Sequence, residues 1–416
     1  MSMPRRVEHL IVGGGLAGGN CARWLREEGA EGDVLVVGRE PDPPYDRPPC
    51  SKGFLAGRET REDVLFRPDE WWREQRIELM TRVSVTGLDA GARTATLSSG
   101  EELSFGTALL ATGSNVRRLP VEGGELEGVH YLRTLRNSEA IREAVQGGGP
   151  VVCVGGSYIG CEVAASVRSA YGCDVAIVMQ EAVTLSRGFG ETAGRFLQER
   201  LTEHGIEIHG EDEIERFEGE DGHVTAVVTR SGRRLPASTV VMGVGVTPEV
   251  SLAGAAGLEL ADDGGVRCDS MLRTSADGVF AAGDIASYES RVHGRRLRVE
   301  HWDVAFNQGK TAALNMLGRE VAHEVVPYFF SDLADWASLE YVGPAASWDE
   351  EVVRGSIEDG EFSVFYLDGG RVAAALAIGR GDDLDHARRL MASGADVGAA
   401  GGSARLGDLS TDLSSV

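Results

Sequence analysis

The stretch Val7–Gly18, which reads VEHLIVGGGLAG, decides the fold of the N-terminal part of the chain. Its apolar run His9–Val12 predicts a strand that stops at a cluster of glycines. A helical pattern follows over Leu16–Glu28, and Gly29 is placed to end that helix. The order is therefore strand, tight turn, helix, which is the start of a βαβ unit.

The glycines of this turn, Gly13, Gly15 and Gly18, stand in the pattern G-x-G-x-x-G. The first permits the turn, the second lets the backbone approach a pyrophosphate, and the third lets helix and strand pack closely. A second apolar run, Val34–Val37, is followed by Glu40, about twenty residues beyond the last glycine, where a carboxylate accepts from a ribose hydroxyl. This arrangement predicts dinucleotide binding, with the phosphates at the helix N-terminus.

The chain repeats the same arrangement later. The apolar run Val151–Val154 predicts a strand, and Gly155, Ser157 and Gly160 occupy the three fingerprint positions. A helical stretch then continues to about Ala170. Two such units in one chain predict two bound dinucleotides.

The second copy also ends on an acid, because the predicted strand Val175–Met179 is followed by Glu181. A doubly wound domain with glycine-rich turns and no ligand does not explain an acid at matched spacing in both copies. The departure from the pattern is Ser157, where the middle glycine is expected. Its Cβ weakens phosphate binding, or its hydroxyl donates to a phosphate oxygen, and the sequence leaves both readings open.

Size and charge limit the class of protein. The chain has 416 residues, 42% of them hydrophobic, and a formal net charge of −24. The length predicts two or three domains, and the acidity argues against nucleic acid or an anionic membrane as a partner. No apolar stretch is long enough to span a membrane, and the first ten residues lack the apolar core of a signal peptide, so we expect a cytoplasmic protein.

The six cysteines form no C-x-x-C pair and no cluster with histidines at zinc-ligand spacing. We therefore expect no metal site. Reduced, buried thiols are the simplest interpretation. The six are Cys21, Cys50, Cys153, Cys161, Cys173 and Cys268.

The rest of the chain contains further predicted strands. Ala108–Gly113 and Thr239–Val246 each end in a glycine turn at a similar place after their βαβ unit, which again indicates duplication. Gly278–Asp284 predicts a buried strand that ends in an aspartate. Residues 41–52 form a proline-rich loop.

At this point several motifs together resemble one family. The chain is similar to the two-dinucleotide flavoprotein reductases of the pyridine nucleotide-disulfide oxidoreductase superfamily. Within it, the chain resembles ferredoxin reductases of oxygenase systems, monodehydroascorbate reductase and apoptosis-inducing factor. The matching stretches are IVGGGLAGG, PYDRPPCSK, LLATGS, VGGSYIGCEVA, GVFAAGDIA, EHWDVAFNQGKTAALNMLG and PYFFSDL. The resemblance implies FAD at the first fingerprint and NADH at the second.

The resemblance also implies roles for individual residues. The FAD would be contacted by Gly13, Gly15, Gly18, Glu40, Arg47, Lys52, Thr112, Gly113, Asp284, Glu300, His301, Trp302 and Phe330. The NADH would be contacted by Gly155, Ser157, Tyr158, Ile159, Gly160 and Glu181. Without the motifs around them, an aspartate such as Asp284 could be a helix N-cap and Trp302 a core residue.

The catalytic pair that the resemblance implies is Lys52 near the flavin N5 with Glu162 as its partner. Physical chemistry supports it, because a cation near N5 stabilises negative charge on reduced flavin and a buried lysine needs a carboxylate. The alternative is two exposed charges on a loop and a helix.

The implied fold is α/β, with two Rossmann-like dinucleotide-binding domains and a C-terminal α/β domain. We expect a discontinuous FAD domain over 1–117 and 247–322, an NAD(H) domain over 118–246 and the C-terminal domain over 323–392. Residues 393–416 are rich in Gly, Ala and Ser, and we expect them to be disordered.

Two departures from the family bear on function. Cys50 stands where the family has leucine. It is the one cysteine in residues 41–60, which excludes a two-cysteine relay there and leaves a one-cysteine peroxide or disulfide enzyme open. The acid Glu181 comes two residues after the strand end at Met179, with no arginine beside it in sequence, which predicts a preference for NADH.

The function that this resemblance implies is transfer of hydride from NADH to FAD and then of single electrons to an acceptor. The preferred acceptor is a ferredoxin of an oxygenase or cytochrome P450 system. The alternatives are the Cys50 enzyme, an NADH-sensing flavoprotein like apoptosis-inducing factor, and a reductase of small molecules such as monodehydroascorbate or quinones. Tyr158 is either a lid over the nicotinamide site or a packing residue.

A partner that is acidic needs a local basic surface on this acidic chain. The sequence offers Arg291, His293, Arg295, Arg296 and Arg298, around a hairpin turn at Gly294 that would present them to solvent. The alternative is an ordinary solvated hairpin. The oligomeric state is open between monomer and homodimer.

Overall fold

The protein is described here from a computed structural model, which describes residues 5–398 and 402–416. Its first strands are β1 Arg5–Val12, β2 Val34–Val37, β3 Ile77–Met80, β4 Val85–Asp89, β5 Thr94–Leu97, β6 Glu102–Leu110, β7 Ser114–Val116, β8 Val129–Tyr131, β9 Val151–Val154, β10 Val175–Val178, β11 Ile206–His209, β12 Ile214–Glu220 and β13 His223–Thr229. The later strands are β14 Arg234–Pro236, β15 Thr239–Met242, β16 Val246–Pro248, β17 Val266–Arg267, β18 Val279–Ala281, β19 Ala286–Ser290, β20 Arg295–Leu297, β21 Tyr328–Leu333, β22 Ala337–Val342, β23 Glu350–Ser356, β24 Glu361–Asp368 and β25 Arg371–Ile378.

The helices follow the same order along the chain. They are α1 Leu16–Glu27, α2 Arg61–Val64, α3 Asp69–Glu74, α4 Leu135–Gln146, α5 Tyr158–Tyr171, α6 Ser186–Glu203, α7 Ser251–Ala255, α8 Trp302–Met316, α9 Asp383–Ser393 and α10 Gly402–Gly407. Short 3₁₀ turns occur at Pro48–Ser51, Gly283–Ile285 and Leu413–Ser415. No helix within the described residues is both long enough and apolar enough to cross a membrane.

The contacts divide the chain into two compact units. Unit 1 comprises residues 1–46, 65–115 and 247–329, and unit 2 comprises residues 47–64, 116–246 and 330–416. Each unit contains one of the two fingerprints, so each is described by itself.

Unit 1 is built on a sheet with the order β3-β2-β1-β6-β5-β4, with β18 also paired to β6. Strands β1 and β2 are parallel, with Val12 opposite Val37, and α1 connects them. Helix α8 packs closely on α1, since a Cβ on Gly309 would lie 2.5 Å from the carbonyl oxygen of Ala17. Because α1 directly follows β1 and β6 is parallel to β1, the carboxyl ends of both strands lie at the start of α1. Ligands bind at this edge of the sheet in folds of this kind.

Unit 2 contains a second parallel sheet with the order β11-β10-β9-β15-β8, in which α5 connects β9 to β10. Strands β9, β10 and β15 are buried along their whole length, as parallel strands covered on both faces are. A small antiparallel sheet β12-β13-β14 and the C-terminal sheet β21-β22-β25-β24-β23 complete the unit. The α/β class and the paired Rossmann-like sheets predicted from the sequence are thus confirmed.

The expectation of disorder after residue 393 is wrong for the residues described there. Helix α10 lies in this segment, and Leu406 and Leu413 are 0% and 3% exposed. The buried Arg354 donates hydrogen bonds to the carbonyl oxygens of Leu406, Asp408 and Thr411. These tertiary contacts hold the segment in place, and its Gly- and Ala-rich composition gives no sign of them. Residues 399–401 lie outside the described residues.

Candidate functional site

The outer glycines of the first fingerprint are required by the protein's own packing. Gly13 has a φ of +126°, and a Cβ on it would lie 2.0 Å from the carbonyl oxygen of Ala111 at the end of β6. A Cβ on Gly18 would lie 2.1 Å from the carbonyl oxygen of Gly13. Larger residues at either position would therefore clash with backbone.

Gly15 differs, because neither its backbone nor its neighbours explain a glycine. Its φ of −83° suits any residue, and a Cβ there would meet nothing within 4 Å. It is the N-cap of α1 and provides no side-chain cap for that helix. An open approach to a helix N-terminus fits a phosphate group, so the residues present fit a dinucleotide.

Glu40 and Thr112 hold other parts of this edge of unit 1. The Tyr45 hydroxyl donates to Glu40 Oε2 at 2.6 Å, and Glu40 is only partly buried. The Thr112 hydroxyl donates to the carbonyl oxygen of Glu249 at 2.6 Å, while the carbonyl oxygen of Gly113 accepts from the Glu249 backbone at 2.8 Å. The turn that ends β6 is therefore fixed beside Gly13.

The AAGD motif lies beside the first turn of α1, close to the first fingerprint. Gly283 has a φ of +77°, and its N–H donates to Gln308 Oε1 at 2.8 Å. A Cβ on Gly283 would be 3.3 Å from Ala17 Cβ, which places Asp284 near the start of α1. The carbonyl oxygen of Asp284 accepts from Arg298 at 3.1 Å.

The Glu-His-Trp motif forms the start of α8. The Trp302 indole donates to Asp46 Oδ1 at 2.7 Å, and its ring stacks on Phe306 at 5.3 Å. Burial lowers the pKa of His301 to about 4, and its Nδ1 has no partner among the described residues. Glu300 is paired with Arg298. Within the described part of the chain this buried ring nitrogen beside Trp302 is left without a hydrogen bond, which fits a contact to a bound cofactor.

The second fingerprint repeats the packing of the first. Gly155 has a φ of +107°, and a Cβ on it would lie 2.3 Å from the carbonyl oxygen of Gly243 at the end of β15. A Cβ on Gly160 would lie 1.9 Å from the carbonyl oxygen of Gly155. Ser157 is exposed and does not cap α5, so its hydroxyl is not used by the helix that it precedes. The next residue but one, Ile159, is partly buried in the first turn of α5.

Glu181 has a partner that the sequence did not reveal. Arg187 Nε lies 2.5 Å from Glu181 Oε1, with the two side chains 77% and 24% exposed. Arg187 belongs to the first turn of α6, six positions after Glu181, and the bends and turns between them give no regular period from which the contact could be predicted. The residues next to Glu181 in sequence include no arginine, as stated above, but the folded chain brings Arg187 onto its carboxylate.

Tyr158 packs against other aromatic rings of unit 2. Its ring centroid is 5.5 Å from that of Phe189, and a Cβ on Gly188 would be 2.5 Å from its hydroxyl. Burial raises the pKa of Tyr158 to about 12. This environment fits the packing alternative better than a lid.

Lys52 and Glu162 form the predicted ion pair. Lys52 Nζ lies 2.5 Å from Glu162 Oε1, and the side chains are 15% and 5% exposed. The Phe330 ring lies beside the ammonium, with its centroid 5.8 Å from Nζ. Arg47, from the same loop, donates to the carbonyl oxygen of Arg133 at 2.6 Å. A partly buried cation is therefore held in one place by its carboxylate.

Two serines on neighbouring helices hold this loop. The hydroxyls of Ser138 and Ser166 donate to the carbonyl oxygens of Cys50 and Ser51, at 2.8 and 2.7 Å. Cys50 itself is a buried free thiol with 4% exposure. Its burial matches a small apolar packing residue.

The basic hairpin forms as predicted, but it does not present all its arginines to solvent. Gly294 has a φ of +61° in the turn between β19 and β20. Arg296 and Arg298 are 23% and 18% exposed, turn back onto backbone carbonyls and pair with Glu289 and Glu300. Long guanidinium side chains satisfied by local acceptors explain the difference.

The other two arginines of the hairpin remain accessible. Arg291 and Arg295 are exposed, and Arg291 lies 3.8 Å from Glu324. His293 is partly exposed, and the partial burial of its ring, together with Arg295, lowers its pKa to about 4, so it is uncharged at neutral pH.

A second surface of unit 1, called the α8 surface, combines the cations Lys310 of α8 and Arg23 of α1 with the aromatic rings beside them. Trp302, Phe306 and Lys310 are spaced four residues apart, which places them on one face of the helix. Lys310 Nζ lies 4.0 Å from the ring centroid of Trp24, and the Arg23 guanidinium is 5.3 Å from it. This cation-covered aromatic surface begins at the Glu-His-Trp motif.

Comparison with known proteins gives the family. A model described as pyridine nucleotide-disulphide oxidoreductase matches residues 7–309, and one described as reductase C-terminal matches residues 328–416. The ferredoxin–NAD(+) reductase component of the anthranilate 1,2-dioxygenase system of Burkholderia cepacia is 36% identical, over 93% of this chain and 94% of the relative. Putidaredoxin reductase of Pseudomonas putida is 34% identical, over 92% and 91%.

Solved structures agree with these relatives. The ferredoxin reductase for the CYP199A2 system from Rhodopseudomonas palustris has a TM-score of 0.92 at 32% identity, covering 98% of this chain and 99% of that one. The covalent putidaredoxin reductase–putidaredoxin complex has a TM-score of 0.91 at 33% identity, covering 98% and 97%. The chain belongs to the pyridine nucleotide-disulphide oxidoreductase family, whose members are oxidoreductases that use FAD and NAD(H).

Proposed function

We propose that this protein takes a hydride from NADH onto bound FAD and passes the electrons singly to a ferredoxin that serves an oxygenase or a cytochrome P450. The observation that carries the proposal is the pair of fingerprints whose outer glycines are fixed by packing. The names of the relatives supply the acceptor class. Bound FAD accepts a hydride and releases electrons one at a time.

The proposed cofactor sites follow the resemblance. Gly13, Gly15 and Gly18 hold the FAD pyrophosphate, and the open approach at Gly15 supports that role. Glu40 accepts from the adenosine ribose and Asp284 from the ribityl or pyrophosphate portion. Further FAD contacts are proposed for Arg47, Lys52, Thr112, Gly113, Glu300, His301, Trp302 and Phe330, and NADH contacts for Gly155, Ser157, Tyr158, Ile159, Gly160 and Glu181.

The proposed catalytic residues are Lys52 and Glu162. A fixed ammonium near N5 stabilises negative charge on the reduced isoalloxazine, and the carboxylate keeps that ammonium in position. Lys52 is one of two lysines in a chain with 41 Lys and Arg residues, the other being Lys310. The cation beside Glu162 is thus a compact ammonium, whereas almost every other Lys or Arg position of this chain is an arginine.

The proposed coenzyme is NADH. Glu181 accepts from the adenosine ribose in this proposal, and a 2′-phosphate at that position would meet its negative charge. Arg187 neutralises part of that charge, so the preference depends on which partner Glu181 takes when the coenzyme binds. This makes Arg187 a residue to vary together with Glu181.

The proposed partner docks on unit 1 through cations. One element is the hairpin with Arg291, Arg295, Arg296 and Arg298, of which the first two are exposed. The other is the α8 surface, because it joins Lys310 and Arg23 to the aromatic residues that follow the Glu-His-Trp motif. On a chain with net charge −24, such local patches are what an acidic ferredoxin would find.

Charge reversal separates the two docking elements. We expect Lys310→Glu and the pair Arg291→Glu with Arg295→Glu to raise the KM for ferredoxin and leave reduction by NADH unchanged. Since Lys310 is the exposed one of the two lysines, its protection from an amine-directed reagent by ferredoxin reports docking directly. Wild-type KM values in both variants would remove these surfaces from the proposal.

The proposed domains are an FAD domain over 1–117 and 247–322, an NAD(H) domain over 118–246 and a C-terminal domain over 323–392. The proposed location is the cytoplasm, where NADH is available and thiols stay reduced. All six cysteines are buried free thiols, which supports that choice.

The experiment that tests the proposal is anaerobic stopped-flow reduction of the FAD-loaded protein by NADH, followed by mixing with ferredoxin, a quinone, peroxide or oxygen. We expect fast flavin reduction and fast reoxidation by ferredoxin. Fast reoxidation by peroxide that is lost in Cys50→Ser would instead favour the one-cysteine enzyme, and a long-lived reduced complex would favour the sensor.

A further inference from the structure

The Glu162 carboxylate accepts hydrogen bonds from two serine hydroxyls in addition to its ion pair with Lys52. The Ser331 hydroxyl donates to Oε1 at 2.6 Å and the Ser51 hydroxyl donates to Oε2 at 2.5 Å, while Lys52 Nζ is 2.5 Å from Oε1. An ionised carboxylate is acceptor only, so both hydroxyl protons point at it. With 4% exposure, Glu162 depends on these groups rather than on water.

The three donors come from two separate segments of unit 2. Ser51 and Lys52 belong to the loop that begins the 3₁₀ turn at Pro48, and the alternative acceptor for Ser51, the carbonyl oxygen of Pro48, is further away at 3.2 Å. Ser331 lies on β21 directly after Phe330 and is 1% exposed. The C-terminal sheet thus reaches the carboxylate through one hydroxyl.

No competing charge is supplied by the neighbouring titratable groups of α5. Burial raises the pKa of Tyr158 to about 12, and it raises the pKa of the Cys161 thiol, with Glu162 adding to both effects. Both groups are therefore neutral at neutral pH. The carboxylate is oriented by two hydroxyls and one ammonium, and hydrogen bonds to a charged group are roughly twice as strong as neutral ones.

The geometry points to Ser51 and Ser331 as positioning residues, which fix the Glu162 carboxylate and through it the Lys52 ammonium in the orientation that reduction of bound FAD requires. This inference rests on the proposed function, because it takes the Lys52 ammonium to face the flavin. It gives the Ser of the PYFFSD stretch a task in the reaction that is separate from covering the flavin with Phe330.

The test compares Ser51→Ala and Ser331→Ala with a matched control, Ser166→Ala. Ser166 holds the same loop, but its hydroxyl donates to the Ser51 carbonyl oxygen and not to Glu162. Two quantities are measured on the FAD-loaded proteins, the midpoint potential of the flavin by dye-linked titration and the rate constant of reduction by NADH. We expect each test variant to lower the potential and slow reduction about tenfold, with Ser166→Ala within about twofold of wild type.

A conservative variant distinguishes positioning from packing. Ser331→Thr keeps the hydroxyl, so we expect it to restore most of the potential and the rate that Ser331→Ala loses. Wild-type potential and rate in both alanine variants would overturn the inference. So would equal changes in Ser166→Ala, because the position of the loop would then be responsible.

The two proposals fail in different ways. The midpoint titration needs neither NADH nor ferredoxin, so an unchanged potential in Ser51→Ala and Ser331→Ala overturns this inference alone. A wild-type protein that binds FAD but is not reduced by NADH overturns the proposed function. If one of the two alanine variants does not retain FAD, the other alanine variant and Ser331→Thr still decide.

Discussion

Replacing Lys52 by methionine is the perturbation whose size the structure defines best. It removes the ammonium 2.5 Å from a carboxylate whose side chain is 5% exposed. Removing one partner of a buried ion pair costs about 3–5 kcal/mol, because the remaining charge is left without compensation. The hydroxyls of Ser51 and Ser331 still donate to Glu162, so we expect a loss near the lower end, about 3 kcal/mol of unfolding free energy.

The reverse change, Glu162→Gln, leaves the ammonium unpaired instead. Lys52 is 15% exposed and reaches more water, so the expected loss is smaller, about 2 kcal/mol. The double variant contains a neutral pair, and we expect it to be about 2 kcal/mol more stable than the sum of the single changes predicts. This coupling is the energy of the ion pair in its buried setting.

The assay is equilibrium unfolding in urea of the FAD-loaded wild type and the three variants, followed by tryptophan fluorescence and far-UV circular dichroism. Lys310→Met is the matched control, since it is the same substitution at an exposed position, and we expect a change within about 0.5–1 kcal/mol. In parallel, Lys52→Met should bind FAD and slow its reduction by NADH. Single variants as stable as the control, with no coupling, would refute the reasoning.

Three further predictions concern the fingerprints, the coenzyme and the effect of pH. Gly18→Ala should prevent folding of unit 1 because its Cβ would lie 2.1 Å from backbone, whereas Gly15→Ala should fold and lose FAD affinity, as measured by circular dichroism and flavin fluorescence. The ratio of kcat/KM for NADH over NADPH should be high in wild type and fall about tenfold in Glu181→Ala, where Arg187 is released to meet a 2′-phosphate, but not when Arg187→Ala is added. Burial lowers the pKa of His323 to about 4, so the unfolded chain binds a proton that the folded chain does not; the loss of stability between about pH 6.5 and 4 should therefore be about 3 kcal/mol smaller in His323→Asn than in wild type.

The regular parts of the molecule could be predicted from the sequence because their signals are local. Both fingerprints, the strands before them and the helices after them follow from apolar runs and glycine spacing. The Lys52–Glu162 pair was available only through resemblance to a family, since its members are separated by 110 positions. Gly294 likewise marked the hairpin correctly.

What the sequence could not predict are contacts made by long or small polar side chains across the chain. Arg187 reaches Glu181 from the start of the next helix, and Ser331 reaches Glu162 from a strand far along the chain. Arg296 and Arg298 were expected to face solvent because a run of charges usually does. Their guanidinium groups instead find backbone carbonyls, whose positions depend on the folded loops.

The measurement that tests the central claim most directly is the electron balance of one turnover. The FAD-loaded protein is reduced anaerobically with one equivalent of NADH and mixed with excess oxidised ferredoxin, and ferredoxin reduction is followed by its visible absorbance. The account predicts two ferredoxins reduced for each NADH consumed, with the rate falling as salt rises. Reduced flavin that leaves ferredoxin oxidised, yet is reoxidised by a two-electron acceptor such as peroxide, would contradict it.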